Sequence, residues 1–98
     1  MILERAVMHV LPGQEGAFES ALVEAREVVS AAPGFRSIRV LRGIESTHIY
    51  LLLIEWDTVE DHLEGFRGSE RYNHWRALLG PHLDGASQVE HYAPVGGG

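Results

Sequence analysis

THIYLLLIEWD, residues Thr47–Asp57, is apolar on both sides of an extended chain. Ile49, Leu51 and Leu53 project one way; Tyr50, Leu52, Ile54 and Trp56 project the other. A strand with two apolar faces must be covered on both. The rest of the 98 residues supplies only enough helix for one face. The simplest cover for the second is another copy of the same chain.

Upstream of this strand, FRSIRVL (Phe35–Leu41) reads as its hairpin partner, and the 42–46 connection is too short for a parallel crossover. Further back, Gln14–Ala32 has a 3.6-residue period, with Phe18, Ala21, Leu22, Ala25, Val28, Val29 and Ala32 on one side; Pro33-Gly34 stops the helix. Before it, ILERAVMHVL (Ile2–Leu11) is a strand closed by the Pro12-Gly13 turn. Its two sets are Leu3, Arg5, Val7, His9, Leu11 and Ala6, Met8, Val10. The first is expected to look toward the helices. Tyr50 and His48 are expected at an interface.

Downstream, Asp57 or Thr58 can cap a helix, and Thr58-Val59-Glu60-Asp61 approximates a capping box. The helix over Val59–Phe66 is expected to bury Leu63 and Phe66. Ser69 opens a second helical segment, ERYNHWRALL, with Tyr72, Trp75, Leu78 and Leu79 on one side and Gly80-Pro81 at its end. SQVEHY (Ser87–Tyr92) is the last strand. The order β-α-β-β-α-β predicts an α+β, ferredoxin-like protomer: an antiparallel sheet with helices on one face, pairing with a second copy through the open sheet. One domain is expected over residues 1–94, with a flexible glycine-rich tail over 95–98.

Composition removes several function classes. The net charge is −6, and all eight basic residues are scattered arginines, so no nucleic-acid footprint is visible. With no cysteine there is no disulfide, thiolate nucleophile or iron–sulfur site. No apolar run reaches membrane-spanning length, and MILERAVMHV carries charges where a signal peptide would be apolar. A cytoplasmic location is expected, with neither membrane nor nucleic-acid partner. The six histidines form no HxH, HxxH or HExxH spacing, so no metal and no cofactor is expected.

Residues able to carry chemistry are fewer. His9 is either a hydrogen-bonded core residue or a pocket-wall donor or base, and it is the candidate base because imidazole titrates near neutrality. Phe66, Tyr72 and Trp75 can pack as ordinary core or wall an apolar slot, with the Tyr72 hydroxyl, Asn73 and Arg76 as polar groups at its mouth.

The run IEWDTVEDHLEGFRGSERYNHWRALLGPHL with QVEHY, together with Pro12-Gly13 and the APGF of Ala32–Phe35, resembles the antibiotic biosynthesis monooxygenase family of the dimeric α+β barrel superfamily. The resemblance implies a protomer that dimerises through its sheets. It also implies a cofactor-independent monooxygenase acting on a small phenolic or quinol-type aromatic. His9, Tyr72, Asn73 and Arg76 would be catalytic there, and Val7, Phe66 and Trp75 would hold the substrate. Haem-degrading relatives keep Asn, Trp and His at the places taken here by Val7, Phe66 and Arg76, which counts against haem. The alternatives on the same fold are a non-catalytic small-molecule-binding protein and isomerase- or decarboxylase-like chemistry.

Overall fold

The computed structural model describes residues 1–96. Of the tail expected over 95–98, residues 97 and 98 lie outside the described residues. Strands β1 (Ile2–His9), β2 (Phe35–Arg42), β3 (Ile49–Trp56) and β4 (Gln88–Tyr92) form one antiparallel sheet in the order β2-β3-β1-β4. Helix α1 (Glu15–Ser30) follows β1, and α2 (Glu70–Leu79) precedes a 3-10 turn at Gly80–His82. This is the expected ferredoxin-like topology.

The core lies between the helices and one face of the two inner strands. Pairing sets Ala6 opposite Leu52 and Met8 opposite Tyr50, so both strands present the same parity to the helices. Helix α1 answers with Phe18, Leu22, Ala25 and Val29, all buried. Burial of the larger side chains contributes about 1.5–3 kcal/mol each. Tyr50 is therefore core and not interface: its ring tilts against Phe18, and its hydroxyl donates to Glu19 Oε2 at 2.5 Å. His48 is exposed.

The facing of β1 is the reverse of the expectation. Glu4, Ala6, Met8 and Val10 are buried beneath the helices. Leu3, Arg5, Val7 and His9 stand on the other face and are only half-buried. With Leu51 and Leu53 they make an open apolar sheet surface. Arg5 Nη2 bonds Glu90 Oε1 across it at 3.0 Å, while Arg5 Nε is buried without a hydrogen-bond partner among the described residues.

The chain between β3 and α2 departs from ordinary helix. Thr58 Oγ1 accepts from the Asp61 amide at 3.1 Å, the first half of the expected capping box, but the Asp61 carboxylate accepts from the Thr58 hydroxyl at 2.9 Å in place of the Thr58 amide. Asp61–Phe66 then widens into a π-helical turn. More residues per turn bring His62 and Phe66 onto the buried face and leave Leu63 exposed, contrary to the regular-helix expectation.

Gly34 ends the α1–β2 connection with φ +84°, and a Cβ there would run into the Asp61 carboxyl. Its carbonyl accepts from the Asp57 amide at 2.8 Å. Gly34→Ala is expected to cost about 1–3 kcal/mol in urea unfolding, from backbone strain plus the collision. An unchanged midpoint would show that the turn relaxes freely.

Candidate functional site

A cavity of about 500 Å³ lies between the sheet and the second helical region. Its floor is the β1–β3 surface: Glu4, Ala6, Met8 and Ile54. The π turn supplies His62 and Phe66 to one wall, and α2 supplies Tyr72, Trp75, Arg76 and Leu79 to the other. Leu83 and the Gly85–Ser87 loop close the end.

The walls follow from spacing. On α2, Tyr72, Trp75, Arg76 and Leu79 share a stripe at i, i+3, i+4 and i+7. Phe66 meets both aromatics edge-on, at 5.6 Å from Tyr72 (79°) and 5.9 Å from Trp75 (82°). The Arg76 guanidinium lies 5.8 Å from the centre of the Tyr72 ring, at the exposed side. Flat apolar surfaces therefore frame a slot with a hydroxyl and a cation beside it.

The floor holds buried polar groups. Glu4 and His62 are 5% and 3% exposed. The Trp56 indole N–H donates to Glu4 Oε1 at 2.9 Å, and His62 Nε2 lies 3.3 Å from the same oxygen. The other nitrogen of His62, Nδ1, is 2.8 Å from Nε2 of His91 on β4. The His62 ring also stacks on Trp56, centroids 5.3 Å apart at 21°.

Burial pushes the Glu4 carboxyl above its usual range, the Trp56 hydrogen bond and the Arg67 charge opposing the rise. Burial holds His62 down at about 3, helped by repulsion from Arg67 and His91. His91 is also lowered, first by burial and then by Arg67. His62 is thus neutral across the physiological range.

Four residues proposed from sequence come together here: Phe66, Tyr72, Trp75 and Arg76. Three do not line this cavity. His9 and Val7 are on the opposite sheet face, because β1 turns its other parity inward. Asn73 is exposed, one residue out of the α2 stripe.

Glu4 and His62 were missed. The available signal was parity: Glu4 shares its face with Ala6, Met8 and Val10, and a carboxylate on an otherwise apolar face is a buried-site candidate. For His62 the signal was its i, i+4 spacing from Phe66, which puts both on one helical face. Among the described residues no group of three His, Asp or Glu side chains is placed to hold a metal ion. Glu4, His62 and His91 form a line, with His62 using both nitrogens, and do not converge on a point.

The sequence model of the antibiotic biosynthesis monooxygenase family matches residues 1–78. An uncharacterized protein of Bacillus subtilis strain 168, YczJ, is 42% identical over 95 residues, covering 97% of this chain and all of that one. A crystal structure from Bordetella bronchiseptica, described as a "Putative antibiotic biosynthesis monooxygenase", is 35% identical with a TM-score of 0.93, over 96% of each chain. SnoaB of Streptomyces nogalater, described as a cofactor-independent oxygenase and solved as a point mutant, shares the fold. Its TM-score is 0.80 at 15% identity, over 95% of this chain and 91% of that one.

Proposed function

The chain belongs to the antibiotic biosynthesis monooxygenase family, and from that premise we propose that its cavity binds a small planar phenol or hydroquinone-type aromatic and oxidises it with molecular oxygen. The observation that carries this reading is the slot itself: Phe66 and Trp75 on its wall, Tyr72 and Arg76 at the exposed side, and a buried carboxyl on its floor. Family membership supports the reading, and the shared fold with a protein described as a cofactor-independent oxygenase agrees with it.

The chemistry asks little of the protein beyond placement. An anthrone-like substrate first loses a proton, giving an electron-rich anion. Its ring CH₂ then becomes C=O while O₂ supplies one oxygen to the product and one to water. The substrate provides all four electrons. The protein must accept and return a proton, stabilise the anion and keep bulk water out. Arg76 and the Tyr72 hydroxyl are the positive and donor groups beside the slot. The flat walls orient the ring.

The test is oxygen uptake by electrode over a panel of anthrone-like and hydroquinone compounds, with no added flavin, nicotinamide or metal. Uptake above the buffer rate is expected for at least one. Arg76→Ala should raise KM and lower kcat, about tenfold in kcat/KM, and Tyr72→Phe should cost about as much through loss of one donor. No uptake across the panel, with tryptophan fluorescence still quenched on mixing, would replace the oxygenase by a binding protein.

A further inference from the structure

Two buried polar groups of the cavity, Glu4 and His62, continue into half-buried His91 as a path whose outer end faces solvent. Glu4 and His62 line the cavity, while His91 sits half-buried on β4, an edge strand. Pairing sets Glu4 directly opposite His91 across β1 and β4, so the two strands hold both ends of the path in fixed register. The π turn places His62 between them, Nδ1 hydrogen-bonded to His91 at 2.8 Å and Nε2 standing 3.3 Å from Glu4 Oε1. Trp56 fixes the Glu4 carboxyl from the β3 side. No hydrogen bond of the described residues uses the second carboxyl oxygen, Oε2.

We propose that Glu4, His62 and His91 form a proton wire between the cavity and solvent at the β4 edge, with Glu4 acting as the acid–base group on a bound phenol or hydroquinone. The choice of ligand rests on the oxygenase reading; the wire rests on geometry alone.

With Glu4 protonated on Oε1, every polar atom of the path has a role. Oε1 accepts from the Trp56 indole and offers its proton to His62 Nε2. The His62 Nδ1–H donates to His91 Nε2, and His91 keeps its own proton on Nδ1. A ligand hydroxyl donates to the unused Oε2. One concerted shift then moves a proton along the path. The ligand O–H breaks and Oε2–H forms; Oε1–H breaks and His62 Nε2–H forms; His62 Nδ1–H breaks and His91 Nε2–H forms; the His91 Nδ1 proton leaves to water. The ligand is left as an anion hydrogen-bonded by the new Oε2–H. The reverse shift returns a proton to the product.

No step requires His62 to hold two protons, which suits a ring whose desolvation keeps it neutral. Burial, which raises the Glu4 carboxyl, favours the protonated form in which the path begins. Arg67, the charge acting on Glu4, His62 and His91 alike, disfavours an imidazolium trapped inside.

The test needs no substrate. In ¹⁵N-histidine-labelled protein, solvent exchange of the His62 ring N–H is measured relative to the backbone amide of Leu52, which corrects for opening of the core. His91→Gln keeps a hydrogen-bonding group beside His62 but cannot pass a proton. The ratio is expected to fall about tenfold in this variant; an unchanged or higher ratio would overturn the wire. On any compound that the wild type oxidises, Glu4→Gln should lower kcat about a hundredfold, and His91→Gln about tenfold with recovery in imidazole buffer. Wild-type activity in Glu4→Gln would remove Glu4 as the acid–base group. If no compound is oxidised, the oxygenase reading fails, and the exchange ratio alone decides the wire.

Discussion

Leu53→Asp is expected to turn a dimer into a monomer of 10.9 kDa while leaving the protomer folded. Leu53 lies on the open sheet face among Leu3, Val7 and Leu51, a surface too apolar to meet water over its whole extent. Two copies placed face to face would close it as a sheet-on-sheet core. A carboxylate in the middle of that contact has no partner, and burying it costs several kcal/mol, enough to weaken association by about a hundredfold or more. Leu52→Asp is the control. One residue along the strand, it points into the core beneath the helices and is fully buried, so it should unfold the chain. Sedimentation at micromolar concentration separates the outcomes. A wild type sedimenting as one chain would remove the face-to-face dimer.

Acid is expected to destabilise the protein well before its carboxylates titrate. His62 takes a proton near pH 6.5 when unfolded, but only at about 3 when folded. Its contribution is therefore fully present above 6.5 and is lost as pH falls toward 3. One such proton is worth about 1.4 kcal/mol per pH unit, a ceiling of about 2 kcal/mol between about pH 6.5 and 5. His91, also lowered, acts in the same direction. Glu4 acts oppositely: its carboxyl is raised, so its contribution is present below 4.5 and lost as pH climbs through its folded value. His62, the group with the large shift, sets the net loss in acid. Urea unfolding at about pH 7.5 and about pH 5 reads it directly, and His62→Gln should flatten the difference. An equal acid loss in wild type and variant would place the sensitive group elsewhere.

Element order was legible because the hydrophobic period changes cleanly, from two in Ile2–His9 to 3.6 in α1 and back to two in Phe35–Arg42. Strand facing was not. In an ordinary half-exposed strand, the apolar parity marks the inside; β1 and β3 are apolar on both parities. For β1 the informative residues were Ala6, small enough to lie beneath a helix, and Arg5, which belongs at an edge of the open surface. Choosing the Val7–His9 parity as inward carried the candidate base to the wrong side of the sheet. The cavity wall was readable, since α2 is a regular helix and spacing alone aligns Tyr72, Trp75 and Arg76. The buried polar groups were readable too. Glu4 could be found by parity and His62 by its i, i+4 spacing from Phe66, but the exposure of Leu63 depends on the π turn, which no local pattern announces.

Strand β2 carries Arg36, Arg39 and Arg42 and has a bulge between Phe35 and Ser37 at its start. It is also an outer strand of the sheet, with one row of backbone amides and carbonyls unpaired. Such a row is a template on which further chains can add and grow into fibrils. Three guanidinium groups along eight residues make a second β2 an unwelcome neighbour, and the bulge twists the row away from a flat approach. At the other rim β4 is only five residues long. The chain can therefore present a sticky face without presenting sticky rims, an arrangement that favours a closed pair over open-ended polymer.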